Sequence, residues 1–235
     1  HWNTALEEAK DMIMTERKII IPAYKLAYAL SFVVILSLIR GISLSYEIGI
    51  AMEAPMAILA CVFCADTYTQ EITSKRSEIH RLYPMKKRIH SIRVRMVVQE
   101  AVLFALSAIG YGMFFLFQKP QSLYKGGQST ESELQMFVIY LAAMVVTLWF
   151  WGILSSLLSC LFRNMWIGIG CSIVLWLVTN SAFGEKVFGN WNLFSYTFRN
   201  ITDSRDFNWL YGKTICLLLC VLMMILVPKI IRKRG

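Results

Sequence analysis

Long apolar runs alternate along this chain with short polar, charged segments. Six runs approach the ~20 residues a helix needs to cross a hydrocarbon core, at about 24–43, 48–67, 94–117, 136–161, 165–183 and 212–231. Lipid offers no partner for an unpaired backbone amide, so the runs predict helices. The expected fold is an all-α integral membrane protein, a single domain of six transmembrane helices over 1–235. Ahead of the first run, Trp2, Leu6, Ala9, Ile13 and Ile20 recur at helical spacing, with Glu7, Glu8, Lys10, Asp11 and Arg17 on the other faces. That pattern predicts an amphipathic lead-in helix over 1–22 lying on the inner membrane surface and ended by Pro22, a solvated helix being the plainer alternative.

The polar segments set the orientation, because loops rich in Lys and Arg resist translocation. With both ends in the cytoplasm, 17 of the 24 basic residues fall inside, including Lys25, Arg163 and the block Lys86-Lys87-Arg88, while six fall outside and Arg40 lies within a run. The outer segments are then a short turn near Ser45, a polar loop from Gln118 to Gln135 and a stretch over 184–211. The last carries Phe188, Trp191, Phe194, Tyr196, Trp209 and Tyr211 among polar residues. It predicts short helices dipping into the outer leaflet, although an interfacial aromatic belt leaves the same trace.

Composition agrees: 57% of residues are hydrophobic and 17% charged, against roughly a quarter charged in soluble domains. The 24 Lys and Arg outnumber the 15 Asp and Glu, yet they sit between apolar runs rather than on a soluble basic face, which excludes a nucleic-acid binder. Six cysteines lie in or beside apolar runs. Cys61 and Cys64 form a C-x-x-C with no second pair or nearby His, so buried packing is the expectation, and no metal is assigned. The first twenty residues lack the order of a cleavable signal, so the N-terminus is expected to be retained. Neither a zinc-protease H-E-x-x-H nor a His within a run supports a membrane-embedded enzyme.

Ionisable residues inside spans cost a few kcal/mol to bury and are functional candidates. Arg40 and Glu53 lie at matching depth in the first hairpin, which predicts an ion pair between them; snorkelling of Arg40 or a place along a transport path are the alternatives. Glu100 and Asp66 lie near the inner end, where they would form an acidic vestibule, pair with Arg163 or stay solvated. Gly110, Gly112, Gly152, Gly168 and Gly170 suit close helix packing.

The segment from Asp66 to Arg95 is the most informative. Its first half, Thr69 to Leu82, predicts a polar cytoplasmic helix stopped by Pro84, either a force-transmitting element or a basic connector on anionic lipid. Glu71 after the second run, then Arg81-Leu82-Tyr83-Pro84, then Lys86 to Arg88 and a long apolar third run resemble the permeases of type-2 ABC exporters. The likeness extends over the chain through the lead-in helix, six spans, Leu161-Phe162-Arg163-Asn164 at the turn into the fifth span, and the long loop before the sixth. Ile72, Thr73 and Ser74 stand where many relatives carry Gly or Thr after the acidic residue. Within the family the chain looks most similar to permeases exporting amphipathic peptides, such as the phenol-soluble modulins of staphylococci.

The resemblance implies that 69–82 is a coupling helix, with Glu71, Thr73, Ser74, Arg76, Glu78, Arg81 and Leu82 seating in a separate soluble P-loop ATPase. It also implies a second permease subunit, a homodimer ahead of a heterodimer, in the plasma membrane of a bacterium. The chain has no P-loop of its own. Gly212-Lys213-Thr214 has Phe207 where the first glycine is required, so ATP and Mg would be bound by the partner. Rival expectations are an ion-coupled secondary transporter and a membrane anchor for a soluble partner.

Overall fold

The computed structural model describes residues 7, 10, 21–70, 82, 84–120, 129–193 and 208–234, the side chains of 129–132 and 234 excepted. Among these the chain is helical: α1 (Ala23–Ile39), α2 (Glu47–Cys64), α3 (Met85–Gln118), α4 (Ser129–Phe162), α5 (Met165–Thr179), α6 (Ala182–Phe188), a 3-10 turn (Gly189–Trp191) and α7 (Trp209–Arg234). The lead-in segment lies almost entirely outside the described residues, as do 71–81 of the expected coupling helix.

Each apolar run lies on a helix, with shifted ends. α3 and α4 have 34 residues each, about 51 Å, well beyond a ~30 Å hydrocarbon core. α3 takes in Lys86, Lys87 and Arg88, expected in a connector. α4 begins at Ser129, inside the expected 118–135 loop. α2, α3, α4 and α7 are long and apolar enough to cross a membrane, which marks the chain as an all-helical, membrane-embedded protein. α5 and α6 together would make a fifth crossing, bent by 71° at their junction. α1 has 17 residues, about 26 Å of helix.

Local chemistry fixes the helix ends. Pro22 and Pro84 stand immediately before α1 and α3, where a missing N–H costs nothing because the first-turn amides lack intrahelical partners anyway. The α1–α2 turn is tied by Glu47, whose Oε2 accepts from the amides of Ser43 (2.6 Å) and Leu44 (3.1 Å). Gln118, at the end of α3, donates to the carbonyls of Ser37 (2.8 Å) and Arg40 (2.6 Å) and accepts from the Ile42 amide (2.9 Å). This side chain therefore fastens the C-terminus of α1 to that of α3. Between α4 and α5 the chain reverses at Arg163, whose φ is 53°, and Asn164 caps α5 by accepting from the Trp166 amide at 2.9 Å.

α2 is the hub. The hydrophobic window of α2 is 72% buried by the chain itself, whereas that of α7 is 22% buried and turns most of its surface outward. α4 packs against α2, α5 and α7, and α3 packs against α1, α2 and α4. Inside α2, Pro55 deprives the helix of one amide, and the neighbouring Ala54 carbonyl accepts a bond from the Trp176 indole of α5 at 3.0 Å. After α2 the chain passes through a turn at 65–68, with the Thr67 amide bonded to the Cys64 carbonyl at 3.3 Å, before helix resumes at Thr69. The second run and the expected coupling segment are thus separated by that turn.

Of the 184–211 stretch, the residues up to 191 form most of α6 and the 3-10 turn, folded against the bundle, and Trp209, Leu210 and Tyr211 already belong to α7. Asn192 donates to the Thr179 carbonyl (2.6 Å), and Trp191 packs on Tyr211 with ring centroids 4.9 Å apart.

Three of the five glycines singled out above sit at close approaches, and two do not. A Cβ at Gly168 would lie 2.7 Å from the Ser159 amide nitrogen and 2.8 Å from its Cα, while Gly112 and Gly170 face open space. Gly168→Ala is expected to lower stability by about 1–3 kcal/mol through overpacking of the α4–α5 hairpin. Gly112→Ala should stay within about 0.5 kcal/mol. Denaturant titration of the two purified variants in the same detergent checks this contrast.

Candidate functional site

Three groups of buried polar side chains lie along α2. Nearest its N-terminus, Glu53 forms a salt bridge with Lys213 of α7. Thr147 of α4 accepts from Lys213 at 2.8 Å and donates to Glu53 Oε1 at 3.1 Å. All three residues are at most 3% exposed. Glu53 stands about 9 Å along α2 from its first residue and Lys213 about 6 Å along α7, so two helices running in the same direction place charge and countercharge at one depth. Glu53 Oε2 has no hydrogen-bond partner among the described residues.

Farther along, the Cys64 thiol contacts Glu100 Oε1 of α3 at 3.8 Å, and both residues are buried. Glu100 fits against α4 because Gly152 has no side chain; a Cβ there would collide with Oε1. Its other oxygen, Oε2, has no hydrogen-bond partner among the described residues. Cys61 points to the Trp151 carbonyl at 3.8 Å, and the Ser155 hydroxyl donates to the Cys61 carbonyl at 2.6 Å. The C-x-x-C thiols are free and buried, and no group of three or more His, Cys, Asp and Glu among the described residues is placed to hold a metal.

At the far end, Lys25 of α1 forms a salt bridge with Asp66 and donates to the Phe63 carbonyl at 3.0 Å, its ammonium 5.2 Å from the Phe63 ring centroid. Thr67 donates to Gln99 of α3 at 2.7 Å. Beside this group a cleft of about 400 Å³ is lined by Tyr24, Asp66, Gln70, Arg163 and Trp166 among others. A second cavity, of about 240 Å³, lies between α3 and α4 at Glu100.

The expected pairing of Arg40 with Glu53 is not formed. Arg40 ends α1 as an exposed residue whose carbonyl accepts from Gln118. Glu53 faces the bundle interior, where α7 supplies Lys213. Asp66 does not join Glu100 in a vestibule either; its salt-bridge partner is Lys25, while Arg163 lines the same cleft. Lys25, which the charge count places on the inner side, and Lys213, at the start of the last apolar run, are both neutralised inside the bundle. The signal for Lys213 was present, since it lies within the 212–231 run, but only the tertiary fold identifies which acid it meets. Of the coupling residues, Glu71, Thr73, Ser74, Arg76, Glu78 and Arg81 lie outside the described residues. Leu82 is 85% exposed, two residues before the Pro84 cap of α3.

No protein-family model matches the chain, and neither a curated protein nor a solved structure matches it significantly.

Breaking one side of the Glu53–Lys213 pair strands a buried charge, at a cost of about 3–5 kcal/mol, whereas removing both charges is often close to neutral. Glu53→Gln and Lys213→Met are each expected to lower detergent-solubilised stability strongly, and the double variant to recover most of it. Arg40→Ala should change little. A double-mutant cycle by thermal unfolding checks the pairing, and additive losses would refute it.

Proposed function

We propose that this chain is the permease subunit of an ATP-driven exporter of the second ABC type, moving an amphipathic peptide or lipid-like substrate out of a bacterial cell. In this reading six crossings embed the chain with both termini in the cytoplasm. α1 is the first crossing, and the bent α5–α6 pair forms the fifth with its return into the outer leaflet. The lead-in segment lies on the inner surface, and a second permease subunit, identical or similar, completes the path.

The observation that carries the proposal is the continuity of α3. It starts directly after Pro84, at the end of the segment proposed to couple to the ATPase, and runs unbroken to Gln118. On the way it places Gln99 against Thr67 and Glu100 against Cys64. A helix transmits axial force without bending where no Pro or bulge interrupts it, and the described part of α3 has neither within it. Motion imposed on 69–82 would then act on the buried polar groups and, through Gln118, on the end of α1. Glu71, Thr73, Ser74, Arg76, Glu78, Arg81 and Leu82 supply the contact with the ATPase, which binds ATP and Mg. The chain's own role is the path, not the hydrolysis.

A second reading, an ion-coupled secondary transporter, draws on the Glu53–Thr147–Lys213 triad. A buried acid and ammonium bridged by a hydroxyl are the kind of group that exchanges a proton during transport.

Affinity purification of the full chain from its native membrane is expected to recover a P-loop ATPase in equal amount, hydrolysing ATP faster when an amphipathic peptide is added. Reversing the charges at Glu78 and Arg81 should abolish both recovery and stimulation while leaving the chain folded. Substrate movement in proteoliposomes driven by a pH gradient without ATP, and lost in the Glu53→Gln, Lys213→Met double variant, would instead select the carrier.

A further inference from the structure

The cleft of about 400 Å³ beside the Lys25–Asp66 pair is built where the start of α1, the end of α2 and the α4–α5 turn meet. Tyr24 lines it from the first turn of α1, Asp66 and Gln70 from the segment that follows α2, and Arg163, Asn164 and Trp166 from the α4–α5 turn. The stretches of α2 and α4 that are long and apolar enough to cross a membrane stop at Cys64 and Phe162, immediately short of the cleft. The cleft therefore lies at the boundary between hydrocarbon and water, whichever side of the membrane it faces.

Its electrostatics select the sign of an occupant. Among the described residues that line it, the charged side chains are Asp66 and Arg163. Asp66 is neutralised by Lys25, itself 2% exposed, so that pair adds no net charge. Arg163 is exposed and leaves the cleft net positive. A guanidinium carries five N–H donors in a planar fork, enough to hold two oxygens of a phosphate beside any contact it makes within the chain. The 15-residue helix α5 starts in the same cleft with Asn164 as its cap, and its dipole adds to the attraction for an anion.

The walls select what the anion is attached to. Tyr24 and Trp166 are 62% and 72% exposed, amphipathic rings of the kind that sit at headgroup level. Farther along the same two helices Leu26, Leu30 and Ile167 are exposed as well, so an acyl chain leaving the cleft meets apolar surface. The volume falls within the roughly 300–1,000 Å³ of small-molecule sites. A cation would meet Arg163 and an acid already paired, and free inorganic phosphate would make no use of the two rings.

We infer that this cleft binds the phosphodiester headgroup of a membrane phospholipid, its phosphate held by Arg163 at the start of α5 and flanked by Tyr24 and Trp166. The bound lipid bridges α1 and the α4–α5 turn across the end of α2. The site stands on the cleft, its charge and its depth, and does not depend on the exporter reading or on an ATPase.

The test uses the full chain purified in detergent, stripped of lipid and titrated with dioleoylphosphatidylglycerol by native mass spectrometry. One equivalent is expected to bind saturably, ahead of weaker additions. Dioleoylglycerol, which has the same chains and no phosphate, should not compete, and millimolar inorganic phosphate should not displace the lipid. Arg163→Asn removes the charge with a residue that tolerates the positive φ of this position, and should weaken the first addition about fivefold or more. Gln70→Glu, nearly isosteric, brings a negative charge into the cleft; it should weaken binding as much and serves if the first variant does not fold. Lys87→Gln, which removes an exposed charge near the start of α3 outside the cleft lining, should leave binding within about twofold. An equal loss in Lys87→Gln would mean a general basic face, displacement by inorganic phosphate a free-anion site, and competition by dioleoylglycerol an apolar groove. Each of these overturns the inference, as does unchanged binding in the folded Arg163→Asn and Gln70→Glu variants.

Discussion

The arrangement depends on satisfying charge inside a solvent that cannot do so. Glu53 on the most enclosed of the long helices and Lys213 on the most exposed one are each costly at membrane depth, and neither is satisfied until α4, packed against both α2 and α7, brings the two side chains together. Thr147 completes the contact from α4, so a single ion pair fixes the relative depth of three helices that are far apart in sequence. Apolar packing alone is a poor determinant of register in lipid, because lipid tails are as apolar as leucine. A paired charge is a good one, since a slip of one helical turn along either partner would separate it.

The same logic recurs at the other end. Lys25 and Asp66 set the depth of α1 against the end of α2, with the Phe63 carbonyl as a further acceptor. Gln118 does the corresponding work at the opposite end of α1, using an amide rather than a charge to join it to α3. Between these fixed points the glycines permit close approach. At Gly110 a Cβ would lie 2.5 Å from the Met52 side chain and 2.8 Å from that of Val33, so α1, α2 and α3 converge there.

Glu100 departs from this pattern, and the departure is informative. The Lys–acid pairs have their counter-ions within the chain, whereas among the described residues the Glu100 carboxylate is met by the Cys64 thiol, beside a cavity open to the flank of the bundle. A buried acid without a cation is not needed for folding, since a neutral residue of similar volume would pack there at less cost.

The sequence by itself determined the solvent and the helices. Hydropathy depends on summed composition over ~20 residues, and neither long-range contact nor register enters it, so all six apolar runs lie on helices even though α3 and α4 extend beyond the expected ends. Local punctuation was equally legible: Pro84 ahead of α3, and the turn at Arg163-Asn164. What the sequence did not determine was partnership. The matching depths of Arg40 and Glu53 in adjacent helices suggested a pair, but depth leaves rotation about the helix axis undetermined. α2 turns Glu53 inward toward a lysine 160 residues away in sequence, while Arg40 remains at the end of α1. Lys25 and Lys213 were legible as charges and not as buried ones, because burial is a property of the neighbours. The Glu100 cavity had no signal in the sequence at all, since an empty space is created by how α3 and α4 cross and not by any residue either carries.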